Sequence, residues 1–229
     1  MKQLLKFSAG NKKLAKFIAT FTLPAGKTCP FAESCRTVVG IKDNKPKLYD
    51  LQTGEDHMQF RCYAASLEVL YTSLRNMVNY NMQLLKACSS IEEMVDLIDN
   101  SLPREYNTIR LHVGGDFFSM DYFKAWAYVA KLNPDYLFYG YTKSIPYWIA
   151  CMDLIPDNMV LTASYGGQHD DMIEQYKLKN VKIFTAEYQA YQDGRQIDKD
   201  DSLARNPSVK RFGLLLHGTQ PKTTNLKND

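Results

Sequence analysis

The chain has 229 residues, of which 45% are hydrophobic, 12% aromatic and 23% charged, with a net charge of +3 and five cysteines. Such a chain can bury a real core, which excludes collagen-like, coiled-coil and disordered proteins. No apolar run reaches the roughly 18 residues of a membrane helix, and the N-terminal residues lack a secretory signal. We therefore expect a cytoplasmic protein that does not bind membranes, and the small net charge does not favour nucleic acid as a partner.

The first part of the chain predicts a strand, an insertion and a long helix. A strand fits residues 16–22, and residues 36–61 read as an inserted loop or hairpin whose turn is Asp43-Asn44-Lys45-Pro46. Apolar residues then recur at steps of three and four from Tyr63 to Cys88 without Gly or Pro, which predicts one uninterrupted helix. Ser90 and Glu93 resemble a capping box that begins a short helix.

The second part repeats a short apolar strand, a polar turn and a helix. Helices are predicted over Asp121–Lys131, from Ser144-Ile145-Pro146 onward, and over Asp170–Leu178. The predicted strands are Thr108–Val113, Tyr136–Tyr141, Met159–Ala163, Val181–Ala186 and Arg211–Leu216. Their near-continuous apolar character is typical of parallel strands covered on both faces.

This alternation predicts an α/β fold. Every strand ends in a polar or glycine-rich turn and no G-x-G-x-x-G fingerprint is present, so we expect a partial (βα)6 TIM-barrel-like sheet with a long cysteine-bearing loop after the first strand. Residues 1–218 are expected to form a single domain, and residues 219–229 a flexible tail.

The turns after the strands are expected to line one ligand cavity, because the carboxyl ends of parallel strands meet at one edge. The candidate lining residues are Lys143, Ser164, Glu187 and His217. Lysine is unfavourable at the positive start of a helix unless an anion lies there, so Lys143 is expected to pair with a carboxylate or phosphate.

Three of the five cysteines lie on one connection. Cys29 and Cys35 follow the first predicted strand, and Cys62 begins the long helix. Three thiolates from one loop can hold three corners of a [4Fe–4S] cluster and leave the fourth iron open. Cys88 and Cys151 continue apolar helix faces, so we expect them to be packing residues.

Zinc is the competing metal. His57 would complete a tetrahedral site with the three thiolates of Cys29, Cys35 and Cys62. If the cluster instead has a fourth protein ligand, the candidates are Asp56, His57 and His112. The metal-free alternative is three unrelated thiols.

Several motifs together resemble the bacteriophage "gene product 88" family. They are Leu23-Pro24-Ala25-Gly26-Lys27-Thr28-Cys29-Pro30, Cys62-Tyr63-Ala64, His112-Val113-Gly114-Gly115-Asp116-Phe117-Phe118-Ser119 and Tyr139-Gly140-Tyr141-Thr142-Lys143-Ser144. The resemblance runs from about Leu23 to Gly167. It implies a viral origin, and hence the cytoplasm of a host cell, more than a reaction.

The order of elements also resembles, more distantly, the radical S-adenosylmethionine (SAM) superfamily. The resemblance implies that Cys29, Cys35 and Cys62 match its cluster ligands and that Gly114, Gly115 and Asp116 match its Gly-Gly-Glu turn, which binds the methionine amino group. Asp116 would then accept a hydrogen bond from an ammonium group. The superfamily's usual spacing is C-x3-C-x2-C, whereas this chain has C-x5-C and a distant third cysteine.

Three hypotheses for the function follow. The first is a radical-SAM-like enzyme with a small-molecule ligand at the open iron. The second is an iron–sulfur electron-transfer protein that does not bind SAM and exchanges electrons with a host redox partner. The third is a zinc-stabilised binding module without chemistry of its own.

Overall fold

The structure is a computed structural model, and it describes residues 3–10, 14–53 and 59–220. The strands are β1 (Ser8–Ala9), β2 (Ile18–Thr20), β3 (Thr37–Lys42), β4 (Lys45–Asp50), β5 (Thr108–Leu111), β6 (Leu137–Thr142), β7 (Met159–Ser164), β8 (Asn180–Phe184) and β9 (Arg211–Leu215). The helices are α1 (Tyr63–Leu70), α2 (Thr72–Ala87), α3 (Ile91–Ser101), α4 (Met120–Leu132), α5 (Ile145–Ala150), α6 (Asp170–Gln175), α7 (Glu187–Gln192) and α8 (Ser202–Arg205).

A mostly parallel seven-stranded sheet is the centre of the fold. Its strand order is β1-β2-β5-β6-β7-β8-β9, in which only β1 runs antiparallel to its neighbour. The parallel strands follow one another in chain order, without the reversal that defines a doubly wound sheet. Across the described residues β1 and β9 are opposite edges that do not pair. The sheet is open there, so the prediction of a mixed α/β fold is confirmed and the barrel-like closure is not.

The two faces of the sheet are covered differently. Helices α3 to α6 and part of α2 pack on one face, where Trp126, Phe123 and Leu111 are fully buried in the main core. The other face carries a smaller cluster that includes Phe212 and, from α8, Ala204. Within the described ranges, no helix combines the length and apolar character needed to cross a bilayer.

Several boundaries differ from the sequence predictions. Strand β1 precedes the predicted first strand, so the cysteine-bearing connection follows the second strand of the chain. Strand β5 ends at Leu111 because His112 adopts a positive φ of 56°. Helices α7 and α8 were not predicted, since both are too short to show a hydrophobic period.

The predicted long helix is wrong: it breaks at Tyr71, which adopts extended dihedrals (φ −114°, ψ 103°) between α1 and α2. The Arg75 guanidinium donates to the carbonyl of Glu68 (2.7 Å) and so satisfies a backbone acceptor at the end of α1. Because a side chain from the next helix stabilises the break, it needs no Gly or Pro and leaves no local signal.

The inserted hairpin is confirmed as β3 and β4, joined at Asp43 and Asn44. Both turn residues have positive φ (51° and 56°), as a two-residue type I′ turn requires. The hairpin packs on α1 through Val39 against Ala64 and Ala65. The single domain over 1–218 stays a prediction, and nearly all of the predicted tail lies outside the described residues.

Candidate functional site

The connection that carries Cys29 and Cys35 lies across the carboxyl ends of the parallel strands. Beyond β2, the amide of Leu23 donates to the carbonyl of Gly114 (2.9 Å) and the amide of Val113 donates to the carbonyl of Phe21 (3.1 Å). Backbone pairing therefore continues past the end of β5. It holds the start of the connection at the edge where the polar turns of the sheet gather.

The Gly114-Gly115 turn is a packing site for this connection. Gly115 has φ +81°, and a Cβ there would lie 2.5 Å from the Thr28 hydroxyl oxygen; one on Gly114 would lie 2.8 Å from the Cβ of Ala64. Thr28 is fully buried and donates to the carbonyl of Pro24 (2.8 Å). The glycines thus allow the connection and α1 to approach β5 closely, a role the sequence did not predict for them.

A second attachment joins the connection to the turn after β7. The amides of Glu33 and Ser34 donate to the carbonyl of Gly166 (3.2 and 3.0 Å). The Asp170 carboxylate in turn accepts from the amides of Gly166 (2.7 Å) and Gly167 (3.0 Å). The segment just before Cys35 is therefore fixed between the ends of two strands.

Cys62 is the residue that precedes the first turn of α1, as predicted. Its amide donates to the Thr37 hydroxyl (3.3 Å), which ties the helix start to the hairpin. The amides of Ala64 and Ala65 lower the pKa of the Cys62 thiol, as expected at the positive end of a helix, although burial outweighs them. The thiol is placed by both α1 and the hairpin.

The segment of Cys62 is held beside that of Cys35, because the amide of Phe60 donates to the carbonyl of Ser34 (2.8 Å). Burial is the main cause that raises the pKa of the Cys29, Cys35 and Cys62 thiols, to about 12 for Cys62, and each of the three pairs interacts electrostatically. All three are free and partly exposed. We call these three thiols and the side chains around them the cysteine recess. Without a metal its thiols are protonated and therefore poor nucleophiles.

Asp116 borders the cysteine recess and is already saturated with donors. Its carboxylate accepts from the amide of Phe117 (2.7 Å), the hydroxyl of Thr142 (2.6 Å) and the amide of Lys143 (2.7 Å). Burial raises its pKa to about 6, and its charge raises the pKa of Cys29 and Cys35. Its observed role is to join the ends of β5 and β6, which differs from the predicted contact with an ammonium group.

Lys143 is a buried cation in the same place. Its ammonium donates to the Ser164 carbonyl (3.0 Å), the Ser164 hydroxyl (2.8 Å) and the Tyr165 carbonyl. It forms no ion pair with any residue that the structure describes. It lowers the pKa of Cys35, against the larger effect of burial. The charge expected to meet a ligand anion is thus held by the end of β7 and the residue after it.

The remaining predicted site residues lie in three different surroundings. His217 is exposed, and the centroid of its ring lies 4.4 Å from that of Tyr63, the residue after Cys62. Glu187 instead pairs with Lys199 (2.9 Å) on the surface. His112 is buried against aromatic rings, and burial lowers its pKa to about 3, which keeps it neutral.

The structure describes only some of the residues in the predicted metal sites. Asp56 and His57, on which the zinc site and a fourth cluster ligand depend, lie outside the described residues. Among those described, no group of three or more His, Cys, Asp or Glu side chains is arranged to hold a metal ion. Cys88 packs against the main core and Cys151 is 1% exposed, as expected for packing residues.

Sequence reasoning missed two charged residues near this edge, Glu68 and Arg110. Glu68 is 2% exposed and accepts from the amide of Ala25 (2.7 Å), at the start of the cysteine-bearing connection. Arg110 pairs with Asp201 on the second face of the sheet (2.9 Å). A charged residue inside an apolar strand such as Thr108–Leu111 was the signal that could have revealed Arg110.

Comparisons with known proteins agree on one family. The "Gene product 88" family matches residues 3–228. The "Gene 88 protein" of Mycobacterium phage L5 is 28% identical over 130 residues, which are 53% of this chain and 54% of that protein. The "Gene 88 protein" of Mycobacterium phage D29 is 31% identical over 90 residues, 36% of this chain and 38% of that protein.

The chain therefore spans about half the length, or less, of the curated relatives it matches. No solved structure matches. None of these comparisons supports the resemblance to the radical SAM superfamily, whereas the phage relatives support a bacteriophage origin. Because the family match covers nearly the whole sequence, this chain belongs to the Gene product 88 family.

Proposed function

We propose that this chain is an iron–sulfur protein in which Cys29, Cys35 and Cys62 hold a [4Fe–4S] cluster in the cysteine recess. The observation that supports the proposal is that three free, partly exposed thiols lie near enough to one another for their charges to raise each other's pKa. A four-iron cluster takes separate thiolates at separate corners, so its ligands surround a recess instead of meeting at one point. Cluster binding displaces the thiol protons, and the iron atoms then stabilise the thiolate forms that burial disfavours in the free protein.

The charges around the recess favour an anionic occupant. Thiolate ligands carry negative charge, and Lys143 supplies a buried ammonium near Cys35 whose hydrogen-bond partners, among the described residues, are neutral acceptors. A buried cation of this kind is stabilised by an anion nearby. Cys151 lies in the core and Cys88 packs against it, so the cysteines provide three ligands and leave one iron open.

The radical-SAM-like enzyme and the electron-transfer protein differ in what meets the open iron. The predicted amino-group turn is engaged within the protein: Asp116 accepts three hydrogen bonds, and Gly115 packs against Thr28. This favours the electron-transfer alternative, with a redox protein of the host cell as its partner. SAM binding is the point that separates the two.

Metal analysis tests the proposal. Protein purified anaerobically and reconstituted with iron and sulfide should contain about four iron atoms per chain. Cys29→Ser, Cys35→Ser and Cys62→Ser should each lose the cluster, whereas the matched controls Cys88→Ser and Cys151→Ser should keep it. A colourless protein with zinc and no iron would overturn the proposal in favour of the zinc-stabilised module. If the reduced cluster's EPR spectrum changes when SAM is added, the enzyme replaces the electron-transfer protein.

A further inference from the structure

The hairpin of β3 and β4 has one face that packs on the protein and a second face that points away from it. Val39 is buried against Ala64 and Ala65 of α1, and its register partner Leu48 packs in the same cluster. Because successive side chains of a strand point to opposite faces, the neighbouring register pairs lie on the other side. These pairs, which we call the outer hairpin face, are Val38 with Tyr49, Gly40 with Lys47, and Lys42 with Lys45.

The ring of Tyr49 lies across the middle of the outer hairpin face. A Cβ on Gly40 would lie 2.7 Å from Cε2 and 3.2 Å from Cδ2 of this ring, so the glycine leaves the room that the ring occupies. Tyr49 is nevertheless 41% exposed. The backbone at Gly40 therefore supports the ring from beneath, while the ring stays accessible to a planar partner.

Three lysines give the same face a positive charge. Lys42 and Lys45 are exposed and lie directly opposite each other in register, and Lys47 is exposed on the same face. Like charges directly opposite on paired strands are destabilising. Of the ion pairs between described residues, none involves Lys42 or Lys45, and Lys47 lies 4.0 Å from the exposed carboxylate of Asp43. An anion bound at this face would relieve the repulsion.

An accessible aromatic ring beside ammonium groups suits a single-stranded nucleic acid. Bases stack on aromatic rings largely without regard to sequence, and phosphates pair with lysines. Side chains two residues apart on one strand are about 7 Å apart, which is comparable to the spacing of successive phosphates in an extended single strand. Lys45, Lys47 and Tyr49 follow one another at this interval along β4. A duplex would leave the ring unused, because its paired bases present only their edges.

We propose that the outer hairpin face binds single-stranded nucleic acid, with a base stacked on Tyr49 and phosphates bound by the three lysines. The net charge of the whole chain is only +3. Exposed charges, however, act mainly within about 10 Å at ordinary salt concentrations, so the local charge decides the partner. This inference goes beyond the cluster and does not require it, because none of these residues is a proposed cluster ligand.

Fluorescence anisotropy tests the proposal, with a labelled oligodeoxythymidine of about 20 nucleotides titrated with the full chain at about 50 mM salt. The wild type should bind this single strand saturably, and a duplex of the same length should bind more weakly. Tyr49→Leu should weaken binding of the single strand about fivefold or more, because it removes the stacking surface. Tyr49→Phe keeps the ring and should bind like the wild type.

A matched pair of double variants tests the lysines. Lys42→Gln combined with Lys45→Gln should weaken binding without lowering the melting temperature, because it removes a repulsion. The slope of the logarithm of the binding constant against the logarithm of salt concentration should become shallower by about 1.4, since each phosphate contact in a single strand contributes about 0.7. Lys86→Gln combined with Lys131→Gln changes the net charge equally at exposed positions of α2 and α4, and should leave binding unchanged.

The same titrations give results that would overturn the site. Absence of saturable binding, or equal losses in the two double variants, contradicts a site on the hairpin. Unchanged affinity in Tyr49→Leu contradicts the stacked base, and a duplex that binds as tightly as the single strand contradicts the chosen ligand. If polyglutamate of equal charge displaces the oligonucleotide as well as unlabelled oligonucleotide does, the partner is an acidic protein instead. Binding should persist in Cys29→Ser, and its loss there would contradict a site independent of the cluster.

Discussion

Asp116→Asn tests whether one buried carboxylate joins the strand ends that border the cysteine recess. The wild-type carboxylate is 5% exposed and accepts three hydrogen bonds of 2.6–2.7 Å from Phe117, Thr142 and Lys143. The asparagine oxygen can keep at most the two bonds made by Oδ1. Its amide nitrogen then faces the amide of Lys143, donor against donor, which leaves a buried N–H unpaired.

An unpaired buried donor costs about 1–3 kcal/mol, so we expect the free energy of unfolding to fall by this amount at about pH 3, where the Asp116 carboxyl is protonated in the folded and the unfolded chain and the substitution removes no buried charge. Urea unfolding followed by circular dichroism measures it. Asp135→Asn makes the same chemical change at an exposed turn and should alter the free energy by less than about 0.5 kcal/mol. If Asp116→Asn is as stable as Asp135→Asn, the carboxylate does not hold these strand ends and the reasoning is refuted.

Three further changes test other parts of the fold. Burial raises the pKa of Glu68 from 4.5 to about 7, so the wild type loses stability as the pH rises through this range. Glu68→Gln can still accept from the amide of Ala25. Relative to the wild type, its free energy of unfolding in urea should increase by on the order of 1–3 kcal/mol as the pH rises from about 5 to about 8. Parallel pH profiles for the two proteins would contradict this. Gly115→Ala places a Cβ 2.5 Å from the Thr28 hydroxyl oxygen, on a backbone with φ +81°. It should lower the free energy of unfolding by about 1–3 kcal/mol and the melting temperature with it. An unchanged melting temperature would show that the turn can relax. Asn44 has a positive φ of 56° in the hairpin turn, which glycine adopts at less cost. Asn44→Gly should therefore raise the free energy of unfolding by about 0.5 kcal/mol. A melting temperature at or below that of the wild type would argue against a type I′ turn.

Much of the candidate site was predictable because it depends on chain order. The sequence predicts Cys29, Cys35 and Cys62 on one connection, and Lys143 and Ser164 on turns at the ends of parallel strands. In the structure the Lys143 ammonium donates to the Ser164 hydroxyl and lies near enough to Cys35 to lower its pKa. Glu187 was predicted by the same rule and instead pairs with Lys199 on the surface. The end of a strand fixes where a backbone turn lies, but rotamers and nearby charges decide where its side chain goes.

The break at Tyr71 and the pairing of Arg110 with Asp201 could not be read from local patterns. In the first case Arg75 satisfies the backbone of α1 across the break. In the second, an arginine on β5 meets an aspartate beside α8, a helix too short to show a hydrophobic period. Both depend on side chains that meet only after the chain has folded.

By itself, the sequence determined the alternation of strands and helices, the inserted hairpin and the grouping of three cysteines on one connection. Hydrophobic period, turn residues and chain order are local properties, and they act before any tertiary contact forms. Only the tertiary structure decided that the sheet stays open between β1 and β9, that Asp116 and Lys143 are engaged by the protein, and that Arg110 pairs with Asp201. These outcomes depend on which distant groups compete for each hydrogen bond and charge, and that competition is settled by packing.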